Sequence, residues 1–288
     1  MSLAKSRGRR VLAAVALVVS TVAVGPVVAC SPSTAPTSQA PAVPLQTGEQ
    51  TTLGLGGAPV SELGVDAKNT LYLAGAGGLW TLAPGAAQPA RLVFSDHSTP
   101  LALAVAPDGK VYFIDTEGIV KAVAPGSTAP DPLPFATMKV FGGIAVARDG
   151  TVYVGGADEL WKLDPGATAA TKLAVTGVDN PGHMAIDPDG NLFVFTHGKV
   201  VKIAKGATSA EPVPGATSTV GGLAVDGAGN LYATDRRANT VARMPAGGGD
   251  WAQLPFTGLQ TPLAITVDGD GNVYIVTMPH RVVRLAAK

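Results

Sequence analysis

The chain has few cysteines, few aromatic residues and little charge. Its 288 residues include a single cysteine, Cys30, so no disulfide can form within one chain. Charged residues make up 15% of the sequence, and 21 basic residues balance 21 acidic ones. Because nucleic-acid binding proteins carry a basic excess or patch, we expect no nucleic-acid partner. A domain of this length without disulfides must be held together by its apolar core.

The first 30 residues are organised like an export signal. Four basic residues open the segment: Lys5, Arg7, Arg9 and Arg10. Residues 11–29 are nearly all apolar, and small residues directly precede Cys30. This arrangement resembles the lipobox of bacterial lipoproteins, which implies acylation, for example with palmitate, and a new N-terminus at Cys30. We predict a lipoprotein signal peptide over residues 1–29; an ordinary secretory signal and an uncleaved membrane anchor are the alternatives.

Residues 31–49 are rich in Ser, Pro, Thr, Ala and Gln and carry a single charge. Such a composition cannot bury a core, so we predict that residues 30–49 form a disordered tether that begins at the lipidated cysteine. The expected location is the outer face of the cytoplasmic membrane, with the lipid anchor as the only membrane contact. The abundance of Ala, Gly, Val and Pro, with little Lys, points to an actinobacterial source.

A repeat of about 40 residues fills the rest of the chain. Each copy reads as an apolar strand, a turn centred on glycine in five of the copies, and a second strand with an aromatic residue. The aromatic residues recur at spacings of 39 to 42 residues: Tyr72, Tyr112, Tyr153, Phe193, Tyr232 and Tyr274. In the third copy we predict strands at 143–147, 151–154, 160–163 and 171–175, with turn residues between them. Four antiparallel strands per repeat indicate a β-propeller blade.

The sixth repeat ends after its third strand, at 282–285, and therefore lacks an outer strand. Residues 50–55 precede the first repeat and belong to no blade. We predict that they supply the missing strand, so that the ring closes with three C-terminal strands and one N-terminal strand. The predicted fold of residues 50–288 is all-β: a six-bladed β-propeller of four-stranded antiparallel blades, which we expect to be a monomer.

One stretch, Pro-x-x-x-Ala-Ile-Asp-x-x-Gly-Asn-Leu-Phe-Val at 181–194, resembles an NHL repeat. Asp235 with Asn239-Thr240-Val241, and His280-Arg281-Val282, are similar to the tail of that motif. The plan as a whole resembles the extracellular sensor domain of mycobacterial receptor serine/threonine kinase D. The kinase motifs themselves are absent: the chain has no Gly-rich nucleotide loop, no His-Arg-Asp and no Asp-Phe-Gly. The resemblance therefore implies a sensor propeller without kinase activity.

Candidate binding residues fall in the loops that join a second strand to a third, or one blade to the next. In the propeller family these loops open on the usual ligand face, which we call the loop face. The candidates are Glu62, His97, His183, His197, Asp235, Arg236, Arg237 and His280. In the repeat alignment, His183 corresponds to Glu62 in blade one and to Ala or Gly in the other four blades, so only two opposite blades offer a metal ligand there. We predict no cofactor and no catalytic residue.

Two Asp-x-Asp-Gly-Asn stretches, at 187–191 and 268–272, match the start of a calcium loop. They recur at the hairpin position of the repeat and lack the closing Glu, so we interpret them as turns. The function we predict is a non-enzymatic binding or sensor module for an envelope protein, peptide or glycan. The alternative is a metal-dependent lactonase, esterase or lyase, because six-bladed relatives include such enzymes.

Replacing Cys30 by Ala tests the anchor. The variant loses the acylation site, so it is expected in the medium or as an unprocessed precursor, because two acyl chains are what anchor a protein stably. Membrane and soluble fractions are compared by immunoblot, with Ser31→Ala as the matched control. Normal processing and unchanged membrane retention of Cys30→Ala would contradict the lipoprotein prediction.

Overall fold

The computed structural model describes residues 48–135 and 142–287. The predicted signal peptide, Cys30 and most of the tether lie outside these residues. Throughout the described ranges the chain forms strands and turns without a helix. No helix there is long and apolar enough to cross a bilayer.

Twenty-four strands form six four-stranded antiparallel sheets, which are the blades. The inner strands are β2 (Val60–Val65), β6 (Pro100–Val105), β10 (Ile144–Val146), β14 (Met184–Ile186), β18 (Val220–Val225) and β22 (Ala264–Val267). The second strands are β3 (Leu71–Gly75), β7 (Val111–Asp115), β11 (Val152–Gly155), β15 (Leu192–Thr196), β19 (Leu231–Asp235) and β23 (Val273–Thr277). The third strands are β4 (Gly78–Leu82), β8 (Val120–Val123), β12 (Leu160–Leu163), β16 (Lys199–Ile203), β20 (Thr240–Met244) and β24 (Arg281–Leu285). The outer strands are β5 (Ala90–Leu92), β9 (Asp131–Pro132), β13 (Thr171–Lys172), β17 (Glu211–Pro212), β21 (Ala252–Gln253) and β1 (Gln50–Thr52).

The second strand of each blade contributes to two different apolar cores. In β3, Leu71 and Leu73 pack in the cluster shared with blade six, whereas Tyr72 and Ala74 pack toward blade two. Alternation along a strand sends successive side chains to opposite faces, so one blade serves two interfaces. The same pattern produces six clusters, one between each pair of successive blades. The repeated aromatic residue of each blade packs against the next blade.

The ring closes as the sequence predicted. β1 pairs with β24 in the register Gln50 to Leu285 and Thr52 to Val283. The Gln50 side chain accepts a hydrogen bond from the N–H of Thr257 at 2.8 Å and donates to its carbonyl oxygen at 3.0 Å. Beyond the strand, Leu55 is buried in the cluster between blades six and one. The N-terminal segment therefore both completes blade six and seals its interface with blade one.

The hairpin turn between the first two strands of a blade is organised around an aspartate. In blade five, Asp226 Oδ1 accepts hydrogen bonds from the N–H groups of Ala228 and Asn230, both at 2.9 Å. Its Oδ2 accepts from Asn230 Nδ2 at 2.7 Å and from the Tyr232 hydroxyl at 2.9 Å. Gly229 has φ +87°, which a side chain would disfavour. Equivalent aspartates stand in three other blades: Asp66, Asp187 and Asp268.

These bonds agree with the interpretation of 187–191 and 268–272 as turns rather than calcium loops, because both carboxylate oxygens of the first aspartate accept hydrogen bonds from the turn itself.

The outer strand of blade three differs from the prediction. In blade three, β13 covers only Thr171–Lys172, where the sequence predicted a strand over 171–175. One further backbone hydrogen bond joins the N–H of Leu173 to the carbonyl oxygen of Leu160 at 2.8 Å, and beyond the strand Leu173 and Val175 pack on the apolar cluster between blades three and four.

Shortening the N-terminus tests the closure. A chain that begins at residue 58 loses β1 and Leu55, and we expect its free energy of unfolding to fall by roughly 3 kcal/mol or more, since burial of one leucine contributes about 2 kcal/mol and two sheet edges become exposed. A chain that begins at residue 45 keeps β1 and Leu55 and is the control. Urea unfolding followed by tryptophan fluorescence compares the two. Equal midpoints would contradict the role of β1.

Candidate functional site

A narrow channel runs along the ring axis, and one equivalent residue from each blade lines its loop-face half. This cavity of about 200 Å³ is bounded at the equivalent positions by Glu62, Ala102, Gly143, His183, Gly222 and Ala264. The inner strands place these residues, and the apolar side chains Leu63, Leu103 and Ile265 complete the wall. Among the described residues, the only polar side chains at these six positions are therefore one carboxyl and one imidazole, contributed by blades one and four.

Glu62 stands at a β-bulge, where the pairing of β2 with β3 shifts between Val60 and Glu62. Its side chain lines the channel, and burial raises its pKa from 4.5 to about 8. No residue of 48–135 or 142–287 hydrogen bonds to its carboxyl or forms an ion pair with it. Glu62 is thus protonated at neutral pH and can donate a hydrogen bond into the channel.

His183 lines the same cavity from blade four. Burial lowers its pKa, and the positive charge of Arg236 lowers it further. The imidazole is therefore neutral at neutral pH, and one of its nitrogens can accept a hydrogen bond. His183 also borders a second cavity outside the channel, so it joins the channel mouth to the loop surface.

Two adjoining cavities, of about 590 and 430 Å³, lie on the loop face beside the channel mouth. They share Phe195, Val220 and Arg236, and together we call them the blade four–five groove. The remaining residues that bound it are Gly142, Gly156, Ala157, Asn180, Pro181, Gly182, His183, His197, Gly198, Ser218, Thr219, Arg237 and Thr261. The groove thus brings together four of the candidates proposed from the sequence, two histidines and two arginines.

Asp235 lies next to the groove but does not line it. Its Oδ1 accepts hydrogen bonds from the Thr219 hydroxyl at 2.6 Å and from the N–H groups of Arg237 at 2.9 Å and Ala238 at 2.8 Å, and the Thr217 hydroxyl bonds to its Oδ2. Burial pushes the pKa of this carboxyl upward, but the hydrogen bonds outweigh burial, and the net pKa is lowered. Asp235 shapes the loop that presents the two arginines.

Two other candidates lie apart from the groove and the channel. His97 is exposed in a turn with φ +59°, and its N–H bonds to the carbonyl oxygen of Phe94. His280 has φ +54°, and its Nδ1 lies 3.0 Å from the carbonyl oxygen of Val60. This contact ties a loop of blade six to the first strand of blade one, so His280 has a structural partner across the closure.

Sequence reasoning missed two features. Phe195 lies where the groove's two cavities meet, and the signal was available, since it is the only aromatic residue at that position of the repeat. The face opposite the loop face carries the hairpin turns between the first two strands of each blade, and we call it the turn-bearing face; it has a cavity of about 240 Å³ at its end of the channel. Arg148 and Asp187 are among the residues that line it.

A metal-ligand set is not found among the described residues: no group of three or more His, Cys, Asp or Glu side chains there could hold a metal ion. Of the six equivalent channel positions, only those of Glu62 and His183 have a side chain that can bind a metal ion. Structural zinc takes four ligands and catalytic zinc three from the protein, so these residues do not fit a metal site.

The chain is similar to solved six-bladed propellers of different function. A gluconolactonase from Xanthomonas campestris is 17% identical with a TM-score of 0.65, over 88% of this chain and 94% of that one. The nidogen/laminin complex contains a chain that is 20% identical with a TM-score of 0.60, over 72% and 85%. Virginiamycin B lyase from Staphylococcus aureus is 13% identical with a TM-score of 0.56, over 83% and 89%. No family model and no curated protein matches the sequence. At these identities the likeness establishes the six-bladed fold alone.

The raised pKa of Glu62 predicts a pH dependence of stability. Below pH 4.5 the folded and unfolded chains both hold the proton; as pH rises toward about 8 only the unfolded chain releases it, so folding becomes progressively less favourable. Relative to Glu62→Gln, the free energy of unfolding of the native protein should fall by a few kcal/mol between pH 4.5 and about 8, and should not fall further above that range. Urea unfolding at a series of pH values measures this, with the exposed Glu117→Gln as control. A constant difference between native and Glu62→Gln would contradict the prediction.

Proposed function

We propose that this chain is a lipid-anchored, extracytoplasmic β-propeller that works as a non-enzymatic binding or sensor module for an envelope protein, peptide or glycan. The observation that carries the proposal is the blade four–five groove, which opens beside the channel mouth on the loop face. Loops on a rigid scaffold are where binding residues concentrate. The likeness to the NHL-repeat sensor domain and the lipobox before Cys30 support the same reading.

The distribution of acidic side chains supports binding rather than chemistry. Asp66, Asp226 and Asp268 hold hairpin turns, and Asp115 pairs with Lys121 at 2.8 Å. Carboxylates fixed in this way stabilise loops and are not available to attack or protonate a substrate. The polar groups left toward the groove are imidazoles, guanidiniums, hydroxyls and an amide, which suit recognition through hydrogen bonds and charge.

One observation favours an enzyme. Glu62 is a carboxyl whose pKa burial raises toward neutrality, across the channel from the His183 imidazole, whose pKa is lowered, and a protonated carboxyl facing a neutral imidazole can transfer protons. The similarity in fold to a gluconolactonase and a lyase also supports this alternative. A metal-free hydrolase or lyase would have to act through Glu62 and His183, inside a channel of about 200 Å³ that admits only a small group.

The binding role is tested by combining His183→Ala, Arg236→Ala and Arg237→Ala. This variant should fold normally, with an unchanged unfolding midpoint, and should retain less of the envelope-fraction ligand that the native chain captures, by about tenfold or more in affinity, because two charged partners are lost. Captured material is identified by mass spectrometry and its affinity measured directly. The control removes two exposed cations from the turn-bearing face, Arg148→Ala with Lys205→Ala. Binding should persist in EDTA.

The same protein is assayed with lactone and ester substrates. We expect no turnover above the uncatalysed rate. Turnover that Glu62→Gln abolishes, with the fold intact, would replace the binding module by the enzyme.

A further inference from the structure

We propose that the blade four–five groove binds an acidic peptide segment of a partner protein, with its carboxylates on Arg236 and Arg237 and its main chain along the glycine-lined wall. The inference rests on the proposed binding function and narrows it to one class of ligand. It also shifts recognition from the channel, whose loop-face half has a volume of only about 200 Å³, to the surface beside its mouth.

Charge gives the first argument. Arg236, Arg237, His183 and His197 line the groove, and no Asp or Glu of residues 48–135 or 142–287 is among its lining residues. Neither guanidinium forms an ion pair with any of the described residues. The nearest acid in the sequence, Asp235, already accepts four hydrogen bonds from its own loop. The groove therefore presents positive charge that the propeller itself does not neutralise, and this favours an anionic ligand.

Pre-organisation gives the second argument. A Cβ on Gly221 would lie 2.6 Å from Cγ of Arg236, so the stem of the arginine lies directly over that glycine. The backbone N–H of Arg236 also donates to the carbonyl oxygen of Thr219 at 3.0 Å. An arginine held along its stem loses less conformational freedom when it binds a carboxylate, and its planar fork fits that group with two hydrogen bonds.

Shape gives the third argument and separates a peptide from a glycan. Four glycines line the larger cavity of the groove, of about 590 Å³, and add no side chain to it: Gly142, Gly156, Gly182 and Gly198. A main chain can approach such a wall closely. Half-buried Phe195 and buried Val220 add apolar atoms to the wall for a hydrophobic side chain. Because part of Phe195 packs on the core between blades four and five, less of its side chain is left for stacking on a sugar ring.

The test uses the full chain and fluorescein-labelled peptides of defined composition. The probe is a short peptide of alternating Glu and Leu, and its control has Gln at every Glu. Fluorescence anisotropy at low and high salt should show binding of the Glu peptide only, weakened by salt because exposed charges are screened. Polygalacturonate, added as competitor, represents an acidic glycan and should not displace the peptide.

Variants assign the binding to the groove. Arg236→Ala and Arg237→Ala should each weaken binding of the Glu peptide by about tenfold, the loss typical of a charge-assisted hydrogen bond. The double variant Arg148→Ala with Lys205→Ala removes two positive charges from the turn-bearing face, one more than either arginine variant, and should change the affinity by less than about twofold. Unfolding midpoints verify that all variants remain folded.

Several results would overturn the inference. Equal binding of the Glu and Gln peptides would show that charge is not recognised, and equal losses in the arginine and control variants would show that the groove is not the site. Polygalacturonate binding that depends on both arginines, without peptide binding, would make the ligand a glycan. In that last case the binding function stands while the peptide inference falls. If no probe binds and Glu62-dependent turnover is found, both fall.

Discussion

Both faces of every blade must be covered by another blade, and this constraint governs the rest of the structure. The second strands alternate their side chains between two interfaces, so a blade left without one neighbour would expose half of its apolar residues. Six blades satisfy the constraint only when the ring closes. The pairing of β1 with β24 completes blade six, so that the interface between blades six and one is covered like the other five.

The hairpin turns add a second, more local constraint. In blade five the carboxyl of Asp226 joins the turn to Tyr232 of the same blade, and the Asn230 side chain accepts a hydrogen bond from the N–H of Ala246 at 3.1 Å. The turn after the first strand is thereby fixed to the turn after the third. Blades two and three have Ala106 and Ala147 at the aspartate position and lose the bond to the tyrosine; their turns keep the backbone hydrogen bonds and one side-chain bond each, to Asp108 and Asp149. The fold tolerates the loss because inter-blade burial, and not the turn, supplies most of the stability.

The strands and the ring closure could be predicted from the sequence alone. The aromatic residues recur every 39 to 42 residues, the sixth repeat lacks an outer strand, and residues 50–55 belong to no repeat. The outer strand of blade three was predicted too long, since after Lys172 the chain keeps one hydrogen bond, from Leu173 to Leu160, and its apolar side chains pack on the core instead of continuing the strand. For the candidate site, the repeat alignment identified Glu62 and His183 as the polar residues of the channel. It could not indicate that Phe195 and Arg236 share one groove, because that depends on how neighbouring blades pack.

Backbone packing also explains why, among the described residues, the six equivalent positions in the loop-face half of the channel carry only two polar side chains. A Cβ on Gly143 would lie 2.2 Å from the carbonyl oxygen of Gly182, and one on Gly222 would lie 2.9 Å from Cα of Ala264. Neighbouring inner strands therefore approach too closely at blades three and five for any side chain, whatever its chemistry. Only blades where the strands leave room can add a functional group, and two of those four positions hold alanine. A third polar side chain at Gly143 or Gly222 would require the inner strands to move apart, and their packing is what closes the ring. On the loop surface, by contrast, side chains extend without disturbing the ring, so a larger or more polar ligand fits the proposed groove better than the channel.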